Sequence, residues 1–461
     1  MKKVLYSLVL SSVFLIMIGC DSRYHNSSDD EDPKRAITAS KLIKAKIPTL
    51  VVLMNWNDYS ETDPQIWHNK IFNFKENSVN RWYKDSTNGN VEFVPIRENS
   101  GTPNDGVIIV NMGEKNPGSD SSADFTKEAQ WRDTYIRRAI YNSEVVNNVN
   151  FASFDLDHNG NISRRELQII FIVAGGEEAF GDAPDKSIWA HSWSFNRDAP
   201  HIDGVDLMKD TGNSVTSGSY SRFGAIHAID MEYHHKATIG IIVHELGHSL
   251  LDLEDYYSLS NTDGSGLGYY DVMSSGEWAR KDSDIFDGET PVQFSAYNKI
   301  DAVINTNIAL VNSPQIVTIK CSSNELIKLP TKSEHEYFLL ECRDTTREDS
   351  DRAFNHLDHE FTDNMLFALV YQVDTNKPNN YESGPQTSSH HYKVRIIEND
   401  ESYSLANDKV RVDFDDAYTV GNKIGKNKLI SYTKDIGYNV EVLSADYSQR
   451  TMSFKISQQE K

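Results

Sequence analysis

The sequence predicts an α+β fold, with a mixed twisted sheet and one buried helix first and a β-rich, sandwich-like domain after it. Three observations predict this. Ile47-Pro48-Thr49-Leu50-Val51-Val52-Leu53-Met54 is a continuous apolar run of strand length, as expected of a strand buried on both faces. The apolar stretch Ala237 to Val243 leads into His244-Glu245-Leu246-Gly247-His248 and then Ser249-Leu250-Leu251, which suits a helix whose apolar face is core and whose histidines sit at its polar edge. Beyond about Ile308 helical signals fade and short alternating segments dominate: Gln315 to Lys320, Leu366 to Val373, Tyr392 to Ile397, Val410 to Phe414 and Thr451 to Ile456. At 461 residues the chain exceeds one ordinary core, and the pattern divides it into domains at 45–307 and 308–461.

The elements justify themselves in chain order. Met1 to Gly19 carries Lys2 and Lys3, an apolar run from Val4 to Ile18 and a Gly19-Cys20 junction, the pattern of a signal peptide with a lipoprotein cleavage box. Cys20 is then the lipid-bearing first residue of the mature chain, and residues 20–44 are a flexible tether containing the acidic run Ser27-Ser28-Asp29-Asp30-Glu31-Asp32. Such a run after a lipidated cysteine is similar to export signals of some bacterial surface lipoproteins; a solvated linker is the blander reading. An exported protein follows, on the outer membrane or cell surface, otherwise periplasmic or secreted. Asn90 to Pro95, Gly106 to Val110 and Leu167 to Val173 read as strands, and Lys127 to Val146 as a helix. Asp374 to Gln386, rich in Asn, Pro and Gly, reads as a turn or connection. The net charge of −22, from 46 basic and 68 acidic residues, argues against nucleic acid or an anionic membrane as partner. Membrane contact would come only through the lipid, and the chain would be a monomer. Cys321 and Cys342 are permitted a disulfide in an oxidising compartment, and have no companion cysteine or histidine pair to make a cysteine-rich zinc site.

Two stretches carry metal chemistry. Residues four apart on a helix share a face, so His244 and His248 can reach one zinc ion while Glu245 holds the water bound to it. A third protein ligand is needed, and Glu254 and Asp255 compete for it. A glycine-rich loop from Asp263 to Gly268 then leads to Tyr269-Tyr270-Asp271-Val272-Met273-Ser274, similar to the methionine turn that floors the zinc in zincins of the metzincin type, with Met273 as its methionine. The second stretch reproduces a twelve-residue calcium loop. Asp155, Asp157, Asn159 and Glu166 supply oxygens at positions 1, 3, 5 and 12, Asn161 a backbone carbonyl, Gly160 the turn and Ile162 the apolar eighth position. An apolar β-branched run follows, so the loop joins helix to strand and does not open a second helix.

The order of these segments resembles the immune inhibitor A family of bacterial secreted zinc metalloproteases. Ser78-Val79-Asn80-Arg81-Trp82-Tyr83, Asn88-Gly89-Asn90-Val91, the loop at Asp155, Ile188-Trp189-Ala190-His191-Ser192-Trp193, Pro291 to Lys299 and Glu336 to Glu341 are each similar to family segments, together spanning roughly residues 45 to 455. In the family a glycine stands three residues after the second histidine and a proline precedes the ligand aspartate. Here Leu251 and Glu254 occupy those places with one extra residue, so Asp255 is the counterpart if the insertion is real and Glu254 if it is not. The short N-terminal region leaves little room for an inhibitory propeptide. The resemblance implies a zinc endopeptidase acting on proteins or peptides outside the cytoplasm, with zinc catalytic and calcium structural. A donor to the scissile carbonyl is expected from a tyrosine, with Tyr256, Tyr257, Tyr269 and Tyr270 unranked. His191, His234 and His235 take a structural reading. Two other classes stand beside this one: a non-catalytic surface-binding lipoprotein on a degenerate zincin scaffold, and an IgA-peptidase-type zincin.

Overall fold

The computed structural model describes residues 45–458 apart from 62, 119–130, 181–186, 229–233, 259–264, 303–305, 347–349, 381–390, 401–404, 406–411, 425–428, 430–431 and 433–437. The expected signal peptide, Cys20 and the acidic tether lie outside the described residues, as do Asp263, Gly264 and the later part, 381–386, of the connection predicted at Asp374 to Gln386. The fold mixes α and β, and the chain groups into two compact units, each assembled from separate stretches.

One unit holds the described parts of 49–67 and 95–237. Its sheet is built on β1 (Ala45–Asn55, of which Thr49–Asn55 belong here), with β2 (Val107–Asn111) and β3 (Gln168–Glu177) parallel to it, so that Val51 faces both Val107 and Ile170. Next to β3 lies β4 (Tyr220–Ala228), again parallel, and β5 (His234–Lys236) closes against β4 in the antiparallel sense. Parallel strands are covered on both faces, which is why the run predicted at Ile47 is apolar without alternation. Leu50 to Met54 are all buried, and so is every residue of β3. Each fully buried Val, Ile, Leu or Phe contributes about 1.5–3 kcal/mol, so these two strands are a principal source of stability.

The register of β3 on β4 shifts between Val173 and Gly176. There the backbones come so close that a Cβ on Gly224 would lie 2.4 Å from the Gly176 carbonyl oxygen, a contact that glycine alone escapes. The helix predicted at Lys127 to Val146 is interrupted. From Arg132 it runs through a wide turn to Ile140, stops at Tyr141, and restarts as Ser143–Val146. Asn142 causes the restart: its side chain accepts the Glu144 N–H and caps the new segment, the competition with helix propagation that asparagine offers.

The other unit holds the described parts of 45–48, 68–94 and 238–461. Its helices are α1 (Val79–Ser86), α2 (Ile239–Leu251) and α3 (Ala296–Asp301). Two sheets follow. A five-stranded one has the order β6-β8-β9-β10-β11, formed by Asn307–Leu310, Glu325–Pro330, Glu336–Asp344, Leu366–Asp374 and Val394–Ile396. A four-stranded antiparallel one has the order β7-β14-β13-β12, formed by Gln315–Lys320, Thr451–Gln458, Tyr438–Asp446 and Lys423–Ile424. Phe338, Leu340 and Val370 of the first sheet share one core with Val440, Phe454 and Ile456 of the second. A disulfide joins Cys321, just past β7, to Cys342 in β9. Of the strands predicted here, Val410 to Phe414 is corrected: Val410 and Arg411 lie outside the described residues, and Phe414 begins a short 3-10 turn capped by the Asp413 side chain, which accepts the Asp415 N–H.

Candidate metal centre

Helix α2 begins after Thr238, whose hydroxyl donates to the Asp287 carbonyl at 2.8 Å, and its first turn is pinned by the Gly240 N–H on the Gly288 carbonyl at 2.9 Å. Gly240 is obligatory at this contact, because a Cβ there would meet the Glu277 carbonyl oxygen at 1.9 Å. From α1, the buried Tyr83 hydroxyl donates to the Val243 carbonyl at 2.9 Å. The motif is thus carried on a helix buried along its whole length to Leu250.

The end of α2 places the two acidic candidates differently. Asp252 takes the left-handed conformation at φ 59°, and its N–H still reaches the His248 carbonyl at 3.0 Å. The chain then turns back. The Leu253 carbonyl receives the Nδ1 proton of His248 at 2.7 Å, and Asp255 comes up against both imidazoles: Oδ1 lies 3.1 Å from Nε2 of His244 and 3.1 Å from Nε2 of His248. Glu254 points elsewhere and pairs with Lys393 at 2.7 Å. The left-handed residue stands one place later than the family's glycine, and Asp255 follows it by the three residues that separate glycine and ligand in the family.

His244 Nδ1 lies 2.9 Å from the Val272 carbonyl, so both histidines have Nδ1 committed to backbone oxygens and turn a lone-pair Nε2 inward. The two Nε2 atoms are 3.1 Å apart. Nε2 of His244, Nε2 of His248 and the Asp255 carboxylate hence converge, buried on all sides, and with both imidazoles neutral they offer three lone pairs and no proton donor. Such a set fits a cation. Separations of 3.1 Å are close to the roughly 3.3 Å edges that bonds of about 2.0–2.1 Å subtend in a tetrahedral zinc site. When protons take the place of a cation, the imidazoles carry them: burial works to raise the Asp255 carboxyl, but protonated His248 and His244 prevail and hold it well below the usual carboxylate range.

Beneath α2 the segment Asp271–Ser274 forms a tight turn. The Asp271 carboxylate accepts the Met273 N–H at 2.8 Å and the Asn298 amide at 2.6 Å, and its carbonyl accepts the Gly276 N–H at 3.0 Å. Met273 is fully buried, and a Cβ on Gly247 would sit 2.5 Å from its sulfur, so the methionine lies directly against the motif helix between the two histidines. Glu245 is buried on the same helix and acts electrostatically on His244, His248 and Glu277. Of the four tyrosines, Tyr270 is committed to the Asp416 carboxylate at 2.8 Å, and Tyr256 sits edge-on to Tyr297 with ring centroids 5.6 Å apart. Tyr257 is buried and Tyr269 half-buried.

Two residues of this site had no role in the sequence argument. The Glu277 carboxylate lies 3.4 Å from His244 Nδ1, and burial pushes it up to about 7. Arg343 of β9, fully buried, donates to the carbonyls of Tyr270 and Phe294 at 3.2 Å each and pairs with Glu341 and Asp351 at 2.8 and 2.9 Å. A charge inside an otherwise apolar strand, as in Leu340-Glu341-Cys342-Arg343, is the signal that could have found it.

In the other unit the loop at Asp155 brings carboxylate oxygens of Asp155, Asp157 and Glu166 within 4.8 Å of one another. Asp155 accepts the N–H groups of Asn159 and Gly160, both at 3.0 Å, and Glu166 those of Leu156 and Ser163 at 2.8 and 2.9 Å. Gly160 has φ +79°, as position 6 of such a loop requires. The Asn159 side chain bonds Asp157, and the Asn161 side chain turns to the Thr216 carbonyl. His191 lies 3.3 Å from the Tyr220 hydroxyl and 3.2 Å from Arg222, and His235 packs edge-on to Phe180 and His227.

The converging donor set suits a metal ion, and comparison with known proteins points to a peptidase domain. Residues 77–303 match the immune inhibitor A peptidase M6 catalytic domain, so the chain carries a domain of that family. The pre-pro-metalloprotease PrtV of Vibrio cholerae serotype O1 strain M66-2 is 29% identical over 179 residues, covering 36% of this chain and 18% of the relative. The protein of that name from strain ATCC 39315 / El Tor Inaba N16961 matches to the same extent. The chain thus spans less than a fifth of the length of the curated relatives it matches. Among the described residues no helix is long and apolar enough to cross a membrane.

Proposed function

We propose that the protein is a zinc-dependent endopeptidase of the zincin type, hydrolysing peptide bonds of proteins outside the cytoplasm. The observation that carries this reading is the buried triangle of His244 Nε2, His248 Nε2 and Asp255 Oδ1, each edge 3.1 Å, with both Nδ1 atoms occupied by backbone carbonyls. When bound there, zinc supplies a water of near-neutral pKa and polarises the scissile carbonyl. The rest falls to the chain. Glu245 takes a proton from the attacking water and hands it to the leaving amine. Val272 and Leu253 fix the tautomer and direction of the two imidazoles, and Met273 packs the helix between them. Tyr256, Tyr257 and Tyr269 are the candidates to donate to the developing oxyanion.

The same proposal includes the parts outside this centre: a signal peptide at 1–19, lipid on Cys20, a tether to residue 44, the catalytic domain to 307 and a β-rich domain after it. The loop of Asp155, Asp157, Asn159, Asn161 and Glu166 is a structural calcium site. The test is cleavage of denatured casein by purified residues 21–461 beside Glu245→Ala at matched zinc and calcium, with zinc content measured in both. Cleavage by the native sequence alone, at equal zinc, supports the reading. Zinc-loaded native protein that cleaves no better than the variant would overturn it in favour of a binding protein.

A further inference from the structure

A second acidic cluster lies in the unit that holds α2, on residues that neither motif includes. Carboxylate oxygens of Glu398, Asp400 and Asp416 are all within 4.8 Å of one another. Asp416 is fully buried. Its Oδ2 receives the Tyr270 hydroxyl at 2.8 Å, while Oδ1, equally cut off from water, has no hydrogen-bond partner among the described residues. Glu398 is buried as well, with Oε1 accepting the Leu405 N–H at 3.2 Å, and Asp400 is exposed and opens the cluster to solvent.

Carboxylates taken out of water are retained at low cost only when paired or when they coordinate a metal. No lysine or arginine pairs with Asp416 among the described ion pairs. We propose that Glu398, Asp400 and Asp416 form a binding site for a hard divalent cation, calcium, with Asp416 Oδ1 as its innermost ligand. The donors are oxygen only, which excludes the histidine and thiolate chemistry that selects zinc, and three carboxylates with one exposed face suit the large, loosely directed shell of calcium better than the rigid octahedron of magnesium. Without a cation the carboxylates oppose one another: burial and the neighbouring Glu398 push Asp416 up to about 8. The site also has a mechanical link. Tyr270, which holds Asp416, directly precedes Asp271, whose carboxylate holds the Met273 N–H. A cation here ties Glu398 and Asp400 to Asp416 and, through Tyr270, to the turn under the motif helix.

The test is a count of tightly held calcium. Residues 21–461 are equilibrated with calcium chloride, passed through a desalting column and analysed for metal, beside Asp400→Asn, Asp416→Asn and Glu166→Ala. Asp400 is exposed, so its variant keeps the fold, which circular dichroism checks. Asp400→Asn and Asp416→Asn are each expected to hold one calcium fewer than the native chain. Glu166→Ala is expected to retain this calcium, and the double variant Glu166→Ala/Asp400→Asn to lose it. A folded Asp400→Asn that holds as much calcium as the native chain, or loss of all calcium in Glu166→Ala alone, would overturn the proposal. Neither result bears on zinc content or on casein cleavage, which test the peptidase reading separately.

Discussion

At the motif helix the inward-facing atoms are aimed by carbonyls of Val272 and Leu253, groups that lie beyond the helix in the chain, whereas the loop from Asp155 to Glu166 is shaped by its own amides. With both imidazoles neutral, the histidine–aspartate set brings three acceptors together with no donor among them, while every loop carboxylate already accepts N–H groups of the loop. The difference teaches what each place asks of its ion. The loop holds its conformation through local hydrogen bonds, so an ion bound there would add stability to a shape already present. The buried set has no partner for its lone pairs except a cation, so its ion completes a polar cluster that the surrounding fold imposes.

The sharpest way to break this comparison is Asp255→Asn, which should abolish zinc retention and casein cleavage, while Glu254→Gln, at the residue paired with Lys393, keeps both; metal analysis with a cleavage assay separates them. Glu245→Gln should retain zinc and an unchanged melting temperature yet lose roughly 10²- to 10⁴-fold in kcat, the usual worth of a positioned acid–base group. If zinc left with Glu245, the carboxylate would belong to the metal's support and not to proton transfer. Next in size is Gly240→Ala, which drives a Cβ toward the Glu277 carbonyl at 1.9 Å and should cost about 1–3 kcal/mol or more in denaturant unfolding. Glu166→Ala should remove the calcium-dependent rise in melting temperature contributed by the loop and leave casein cleavage intact once the protein is folded. The smallest effect is expected at Asp252, whose φ of 59° glycine adopts freely: Asp252→Gly should change stability by no more than about 1 kcal/mol with full activity, and Asp252→Val should lose roughly 1–2 kcal/mol.

Much of this was legible because it is local. The buried strand at Ile47 shows in its unbroken apolar run, the motif helix in the four-residue spacing of its histidines, and the acidic loop in the positions of Asp155, Asp157, Gly160 and Glu166. The different placing of Glu254 and Asp255 was not legible, since it depends on which residue takes the left-handed turn, and aspartate enters that conformation without glycine's conspicuous signature. The break at Asn142 was hidden in a window whose apolar spacing continues through it. Glu277, Arg343 and the cluster at Asp416 owe their significance to contacts across long sequence separations, which no spacing rule registers.

Arg343 gives the chain a timetable. Its guanidinium holds the carbonyls of Tyr270 and Phe294, on either side of the turn that floors α2. The peptidase-family match ends at residue 303, well before that arginine is made. The carbonyls it holds belong to residues made before it, and the strand that carries it is made after them. The stretch that matches the peptidase family thus leans for these two hydrogen bonds on a strand that lies beyond it in the chain.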